Sequence, residues 1–532
     1  MQDEARAFEI LQTTRTNDWP KWGGQDPGRN MFSPATGLPD TFQPGVFLPG
    51  TDEFDLATSR NIKWVTKIGS QSYGNPAIAG GRIFIGVNND SPKNPRIQGD
   101  RSILLCLDER NGQFLWQLVI PKLASGKVND WENLGLTSGP TVEGNRVYFA
   151  SSRCEIVCVT THGLERRNVG PFLSESEYIA GPGQPKIPVG PRDADIVWRF
   201  DMMEELGVFP HNATHTHPLI VGDLVYAGTC NGQDWSHAKV PSPRSPSLIA
   251  LDKRTGAFVA EDDADIGPRI YHSQWSSPST GNVGGRQLIF YGGGDGFCYA
   301  FDAIPVKEED TTFLKKVWWV DCNPPEYKSR KGTPIRYPAS EGPSEILGTP
   351  VFWKNRVYVA TGQDPEHGEG VGNLVCIDAT KTGDITETGV LWRNKKVLRS
   401  MSTVSITPDG LLFLSDFSGF VHCIDAETGQ EYWQHDMRAH MWGSTLVSDG
   451  KVFVGDEDGD FVVLAATKQK KVLSRTMIDG KEVDGPNLNS PIYSTPVVAN
   501  GVLYVTSTTH LFAIERSLPQ QLASPRDPPR EQ

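Results

Sequence analysis

The stretch "HNATHTHPLIVGDLVYAG" places His211, His215 and His217 within seven residues, ahead of a strand-like run. Imidazoles ligate transition metals and move protons near neutral pH. Two other polar stretches carry the same residue types. "CNGQDWSH" offers Asp234, Trp235 and His237, and "GQDPEHGEG" offers Gln363, Asp364, Glu366, His367 and Glu369. Asn212, Arg269, His272, Gln274, Glu345, Arg399 and His440 lie in further connecting segments. Histidine, carboxylate and amide groups converging on one concavity suit a metal ion or a general acid–base pair. His211, His237, His272 and His367 are the candidate metal ligands. No pair has a fixed ligand spacing such as H-E-x-x-H, so their convergence depends on the elements that carry them.

Those elements repeat. A Pro-containing apolar strand leads to a turn and a second strand such as "RVYFA". A third strand such as "LLCLD" follows, then a tight turn such as "ERNG" and a strand bearing Trp. First strands begin near Asn75, Gly139, His217, Ser277, Thr349, Thr403, Ser444 and Thr495. Four-stranded units at spacings of about 40 to 80 residues read as propeller blades. The chain runs out after "LFAIE" (511–515), before a fourth strand, while "NIKWVTKI" (61–68) has the Trp but no blade ahead of it. The predicted fold is therefore all-β: an eight-bladed propeller of four-stranded antiparallel blades, its N-terminal strand closing the last blade. The expected division is a tail and lead-in over 1–60, one propeller over 61–516 and a Pro-rich tail over 517–532. A short amphipathic helix could form over Glu4–Leu11, although a mobile tail is the simpler expectation.

In this register the long connections gather on one face: 87–102, 229–247 and 361–373 within blades, and 117–136, 199–214 and 321–346 between them. Long loops on one side of a rigid scaffold usually carry function. Two residues before each strand start stand Tyr73, Thr137, His215, Trp275, Leu347, Met401, Trp442 and Tyr493, each followed by a small residue. This ring is either an apolar plug or an aromatic rim that stacks on a planar cofactor or a sugar. With the loops it defines a candidate binding set: Tyr73, His215, Trp275, Trp442, Tyr493, Asn212, Asp234, Trp235, Gln274, Gln363, Asp364, Glu366 and Arg399.

The repeat resembles the PQQ-type eight-bladed propellers, which include quinoprotein alcohol dehydrogenases and the BamB lipoprotein. "DWPKWGG", "DADIVWRFDM", "HSQWSSPS" and "VGDEDGDFVVL" look most like the secreted PQQ-like propellers of planctomycete bacteria. The resemblance implies an extracytoplasmic protein. It also implies a possible quinone held with calcium above the channel, for which Asp234, Asp364, Glu366 and Asn212 are the available polar groups. Against this, the eight cysteines include no adjacent pair of the kind that packs on the quinone in those dehydrogenases, and no C-x-x-C-H for haem.

Five cysteines (Cys106, Cys158, Cys298, Cys376, Cys423) share one third-strand slot with Ala250 and Ala513, which marks a small buried position rather than disulfides. The pairing of Cys154, Cys230 and Cys322 stays open. "DEDGD" (456–460) spaces acids like a calcium loop, but position 12 is Thr467 instead of glutamate, so a hairpin is expected. A net charge of −13 argues against nucleic acid and anionic membrane as partners. No apolar run is long enough to span a bilayer, and "MQDEARAFEI" lacks the features of a signal peptide.

Three functions remain open. The favoured one is a non-catalytic, monomeric ring binding a ligand, protein or polysaccharide on its long-loop face. The second is a PQQ- and calcium-dependent dehydrogenase. The third is a metal-dependent polysaccharide-active enzyme using His237, His272 and His367.

Overall fold

The computed structural model describes residues 14–517, apart from 166, 169, 368, 369, 475, 476, 479, 480, 483 and 484. The expected helix over Glu4–Leu11 and most of the C-terminal tail lie outside the described residues. Eight four-stranded antiparallel blades form the ring. The first is built from Ala77–Ala79, Arg82–Asn88, Arg101–Asp108 and Phe114–Pro121. The next six open at Thr141, Leu219, Ser279, Val351, Ser405 and Leu446. In the eighth, Val497–Ala499, Val502–Thr506 and His510–Ile514 are completed by Ile62–Lys67 from the N-terminal side, paired antiparallel to His510–Ile514. Closure pairs the last blade's third strand with the N-terminal strand, so that every blade has four strands. No helix is long and apolar enough to cross a membrane.

The middle strands are buried on both faces, so they read as unbroken apolar runs such as "RSILLCLD" rather than as alternating patterns. All eight cysteines are buried free thiols, in keeping with the third-strand slot being a packing position. The Trp of the fourth strand ties blade to blade. Its indole N–H donates to a main-chain carbonyl of the following blade: Trp64 to Glu109, Trp116 to Thr161, Trp198 to Lys253, Trp318 to Ala379, Trp392 to Ala426 and Trp433 to Thr467. The tight turn receiving it needs glycine twice over. Gly112 and Gly256 have φ of +70° and +73°, and a Cβ on either would meet the incoming indole of Trp64 or Trp198 at 2.6 Å or less.

A second hoop of bonds lies at the channel. The strand-start residue of one blade gives its backbone N–H to the strand-start side chain of the next: Gly139 to His217, His217 to Ser277, Thr349 to Thr403, Thr403 to Ser444, Ser444 to Thr495 and Thr495 to Asn75. His217 is large because its neighbour is small. Its Nδ1 sits 2.7 Å from where a Cβ on Gly139 would be.

Departures from the regular repeat are few. The third-to-fourth connection of blade 4 carries a hairpin, Val306–Glu308 with Thr311–Leu314, which adds itself to the outer edge of blade 3. The long insertion before Ile196 holds the helix Glu175–Ala180. The acids of "DEDGD" form a hairpin turn in which the Asp456 carboxylate accepts the N–H groups of Asp458 and Asp460.

Residues 17–33 run through the ring and bond to every blade. Asn17 accepts from Asn500, Trp19 bridges Ile78, Pro20 accepts from Val142, Pro27 from Thr280 and Gly28 from Phe352. Met31 bonds Val404 and Val447, and Phe32–Ser33 adds a parallel strand to blade 7. Arg29 supplies the remaining contact, to blade 3. Its guanidinium is fully buried and donates to the carbonyls of Trp22, His217, Pro218 and Pro278. Replacing it with methionine keeps the volume but removes the guanidinium donor from all four carbonyls, of which Pro218 keeps Thr141 Oγ1. Arg29→Met is expected to lower unfolding stability by about 3–5 kcal/mol, measured by denaturant titration; a loss below about 1 kcal/mol would contradict this role.

Candidate functional site at the mouth of the channel

The strand starts and the residues two places before them converge on a cavity of about 310 Å³ at the channel mouth. All eight residues of the predicted ring line it: Tyr73, Thr137, His215, Trp275, Leu347, Met401, Trp442 and Tyr493. Seven of the eight strand-start residues do so as well, Gly139 being the exception. Trp22, from the segment that threads the ring, also lines the cavity, stacked on His217 with centroids 4.6 Å apart. Its N–H donates to Thr403 Oγ1, which fixes the indole from below. Trp131 enters from the 122–136 loop.

The aromatic wall is held in place. Tyr73 and Tyr493 stack at 4.7 Å, with Trp442 edge-on to Tyr73. The Trp442 and Trp275 N–H groups donate to Glu457 Oε2 and the Ala213 carbonyl. With their polar tips engaged by protein, these half-buried rings offer their faces. The wall is also poor in charge. Burial pushes His215 down to about 4 and His217 well below the usual histidine range, so both are neutral at pH 7. Asp364 and Glu366 are the acidic lining residues, and no Lys or Arg lines the cavity among the described residues. Burial raises Asp364 to about 6.

Of the thirteen candidate binding residues, Tyr73, His215, Trp275, Trp442, Tyr493, Asn212, Asp364 and Glu366 reach the cavity. The other five do not. Asp234 accepts from Ser236 in its own turn, and Trp235 stands exposed, 6.5 Å from Trp131. Gln274 is buried and donates to Ser247 Oγ, Gln363 donates to the Ala339 and Pro343 carbonyls, and Arg399 stacks on Phe417 at 4.5 Å. These three hold loops rather than face the opening.

Beside the cavity, behind Trp275, three of the candidate metal ligands meet. His211 comes from the connection between blades 2 and 3, His237 from the long loop of blade 3, and His272 from the connection between blades 3 and 4. One ring nitrogen of each lies within 4.8 Å of the other two. The side chain of His367 lies outside the described residues. His211 Nδ1 is 2.6 Å from the Gln233 carbonyl and must donate to it, so the Nε2 lone pair points at His237 Nε2, 3.3 Å away. Gly232 permits this approach, since a Cβ there would lie 2.7 Å from that of His211. Asn212 and His237 both sit in the left-handed region, at φ of 58° and 52°, where such residues are uncommon.

His272 is fully buried. Its Nδ1 faces Asp364 Oδ2 at 3.4 Å and Glu345 Oε1 at 3.9 Å. Tyr337 stacks on one side of the ring and donates to Glu345 at 3.3 Å, while Trp275 stands edge-on at 5.5 Å. Burial, then the charge of Asp364, raises the Glu345 carboxyl well above the usual range. Tyr337, Trp22 and Trp131 were not singled out from sequence. Only "DWPKWGG" flagged Trp22, and it lies outside the repeat frame.

The family model described as outer membrane protein assembly factor BamB matches residues 91–259, 334–435, 386–472 and 418–517, well over half of the chain. The chain belongs to this PQQ-type propeller family. Among curated relatives, lupanine 17-hydroxylase [cytochrome c] from a Pseudomonas species is 23% identical over 76% of this chain and 68% of its own length. The quinohemoprotein alcohol dehydrogenase of Comamonas testosteroni is 24% identical over 118 residues, 20% of this chain and 17% of that protein. The chain thus matches less than a fifth of the dehydrogenase's length. Among solved structures, BamB from Moraxella catarrhalis superposes with a TM-score of 0.48 at 16% identity, covering 85% of this chain and 97% of that one. These likenesses are to the fold.

The two neutral histidines make stability pH-dependent with a definite sign. A base whose pKa is depressed by folding contributes stability that is present above its unfolded value, near 6.5, and is lost as pH falls toward its folded value. For His215 that window runs from 6.5 down to about 4. The stability advantage of the wild type over His215→Gln is therefore expected to shrink across this range in denaturant titrations. An advantage that grows on acidification would refute the assignment.

Proposed function

We propose that this chain is an extracytoplasmic PQQ-type propeller that binds a neutral, ring-bearing ligand, a saccharide end group, in the cavity at its channel mouth. The carrying observation is the wall itself: ring faces of Trp275, Trp442, Tyr73 and Tyr493 around hydroxyl and amide groups such as Ser277, Thr349, Ser444 and Asn75. Aromatic faces stack on the C–H face of a sugar, and fixed polar groups read its hydroxyls. A volume near 310 Å³ lies at the small end of ligand pockets, about 300–1,000 Å³, and suits one or two sugar rings. The BamB family match supports the extracytoplasmic placement.

The same wall argues against the quinone. Pyrroloquinoline quinone carries three carboxylates, which need cationic or strongly donating partners. The lining residues described supply two further carboxylates, two neutral histidines and no Lys or Arg. Asp234, one of the groups that would hold a bridging calcium, faces its own turn instead. The residues present do not fit the quinone.

Isothermal titration with neutral mono- and oligosaccharides is the direct test, with pyrroloquinoline quinone plus calcium as the competing ligand. Saccharide binding that weakens about tenfold or more in Trp442→Ala, a loss of about 1.4 kcal/mol, supports the proposal. Saturable quinone binding with no response to any saccharide would overturn it.

A further inference from the structure

We propose that His211, His237 and His272 form a three-imidazole site for a divalent transition metal ion, zinc being the best match, with a fourth position left open. One pair of the three nitrogens already has the spacing of a ligand set. Two metal–nitrogen bonds of about 2.05 Å at the tetrahedral angle place their nitrogens about 3.3–3.4 Å apart. His211 Nε2 and His237 Nε2 stand 3.3 Å apart. The third nitrogen lies within 4.8 Å of both, so a modest inward shift of one ring completes the face of the tetrahedron.

The surroundings have the form of a metal site. A ligating histidine usually donates its other N–H to a carbonyl or carboxylate, which fixes the tautomer and aims the lone pair. His211 does this through Nδ1 to the Gln233 carbonyl. His272 Nδ1 faces Asp364 Oδ2 at 3.4 Å and Glu345 Oε1 at 3.9 Å, so its outer partners are carboxyl groups. Glu345 is fully buried, and its Oε2 has no hydrogen-bond partner among the described residues. Burial disfavours the ionised forms of this acid pair, and a dication bound nearby would favour them. Imidazole donors select zinc and its neighbours over calcium and magnesium, which prefer oxygen.

Access is provided too. His211 and His272 are buried, whereas His237 lies at the solvent edge. The ion would enter past His237, and three protein ligands leave one position for water or for an oxygen of a ligand. Asp364 belongs to both places, since it faces His272 and lines the cavity. It is a positioning residue for the site and does not itself converge with the three nitrogens. The site stands on these histidines whatever occupies the cavity.

The test uses the full chain, stripped with chelator, incubated with zinc chloride and desalted, with metal read by elemental analysis. Cobalt(II) substitution reports coordination through its visible absorption. One equivalent of zinc, with intense tetrahedral cobalt bands, is expected for the wild type and for His162→Ala, whose histidine lies away from the site. His237→Ala changes a residue at the solvent edge and should leave folding intact, yet lower zinc affinity at least 100-fold. Asp364→Asn should lower it about 10- to 100-fold while keeping the tetrahedral cobalt spectrum. Zinc retention equal in the wild type and His237→Ala, or no retention at micromolar metal, would overturn the proposal. So would a weak, octahedral cobalt spectrum.

Discussion

The structure depends on hydrogen bonds that pass from each blade to the next, because packed blades alone do not set their own number or register. Two hoops provide them. At the periphery the fourth-strand indoles of Trp64, Trp116, Trp198, Trp318, Trp392 and Trp433 reach the following blade. At the axis the strand-start side chains receive the N–H of the preceding blade, ending with Thr495 on Asn75 across the closure. Each bond contributes only about 1 kcal/mol net, but a buried N–H left without a partner is far worse. That asymmetry holds the register. The segment over 17–33 adds a third set, one chain bonding all eight blades, with the Arg29 guanidinium tying blades 3 and 4 to the Trp22 carbonyl.

These requirements explain what was readable from sequence. Seven of the eight strand starts are Asn, His, Ser or Thr, six of them accepting from the preceding blade, and six blades place in the fourth strand a Trp that donates across the gap. Both recur with the blades, so alignment alone set the eight positions in register, and all eight mouth residues face one cavity. His217 looked anomalous only until its partner was considered: the larger acceptor fills the space beside Gly139. Trp22 and Arg29 stayed hidden for the converse reason. They occur once, outside the repeat, and nothing periodic marks the residue that crosses the axis.

The histidines were readable as a set but not as a geometry. Sequence named His211, His237, His272 and His367 without telling which loops would fold toward one another. His211 and His272 flank blade 3 on either side, and His237 rides on the long loop of that same blade, so ring order brings these three together. Loop conformation decides the rest. Gly232 must be small, and Asn212 and His237 must take left-handed backbone, none of which follows from the repeat. Gln274, Gln363 and Arg399 show the same limit from the other side. They have the right chemistry at the right face, but their polar groups bond to loop backbone or stack on a ring.

Trp275 separates two environments of opposite character. On its cavity side most groups are aromatic, hydroxyl, amide or neutral imidazole, with Asp364 and Glu366 the acids. On its other side a cluster holds buried His211 and His272, His237 at the solvent edge, and two buried acids. An indole is well suited to this boundary, since it excludes water from the cluster while its N–H is satisfied by Ala213. Excluding water strengthens every charge interaction behind it, so Asp364, the one acid seen from both sides, feels the occupant of either. A ligand in the cavity that bonds Asp364 would alter how firmly His272 is oriented, and any ion bound at the histidines would alter the charge that Asp364 shows to the cavity. Such coupling would be reciprocal by linkage, and the Asp364 carboxylate, 3.4 Å from His272 Nδ1, is the group placed to carry it.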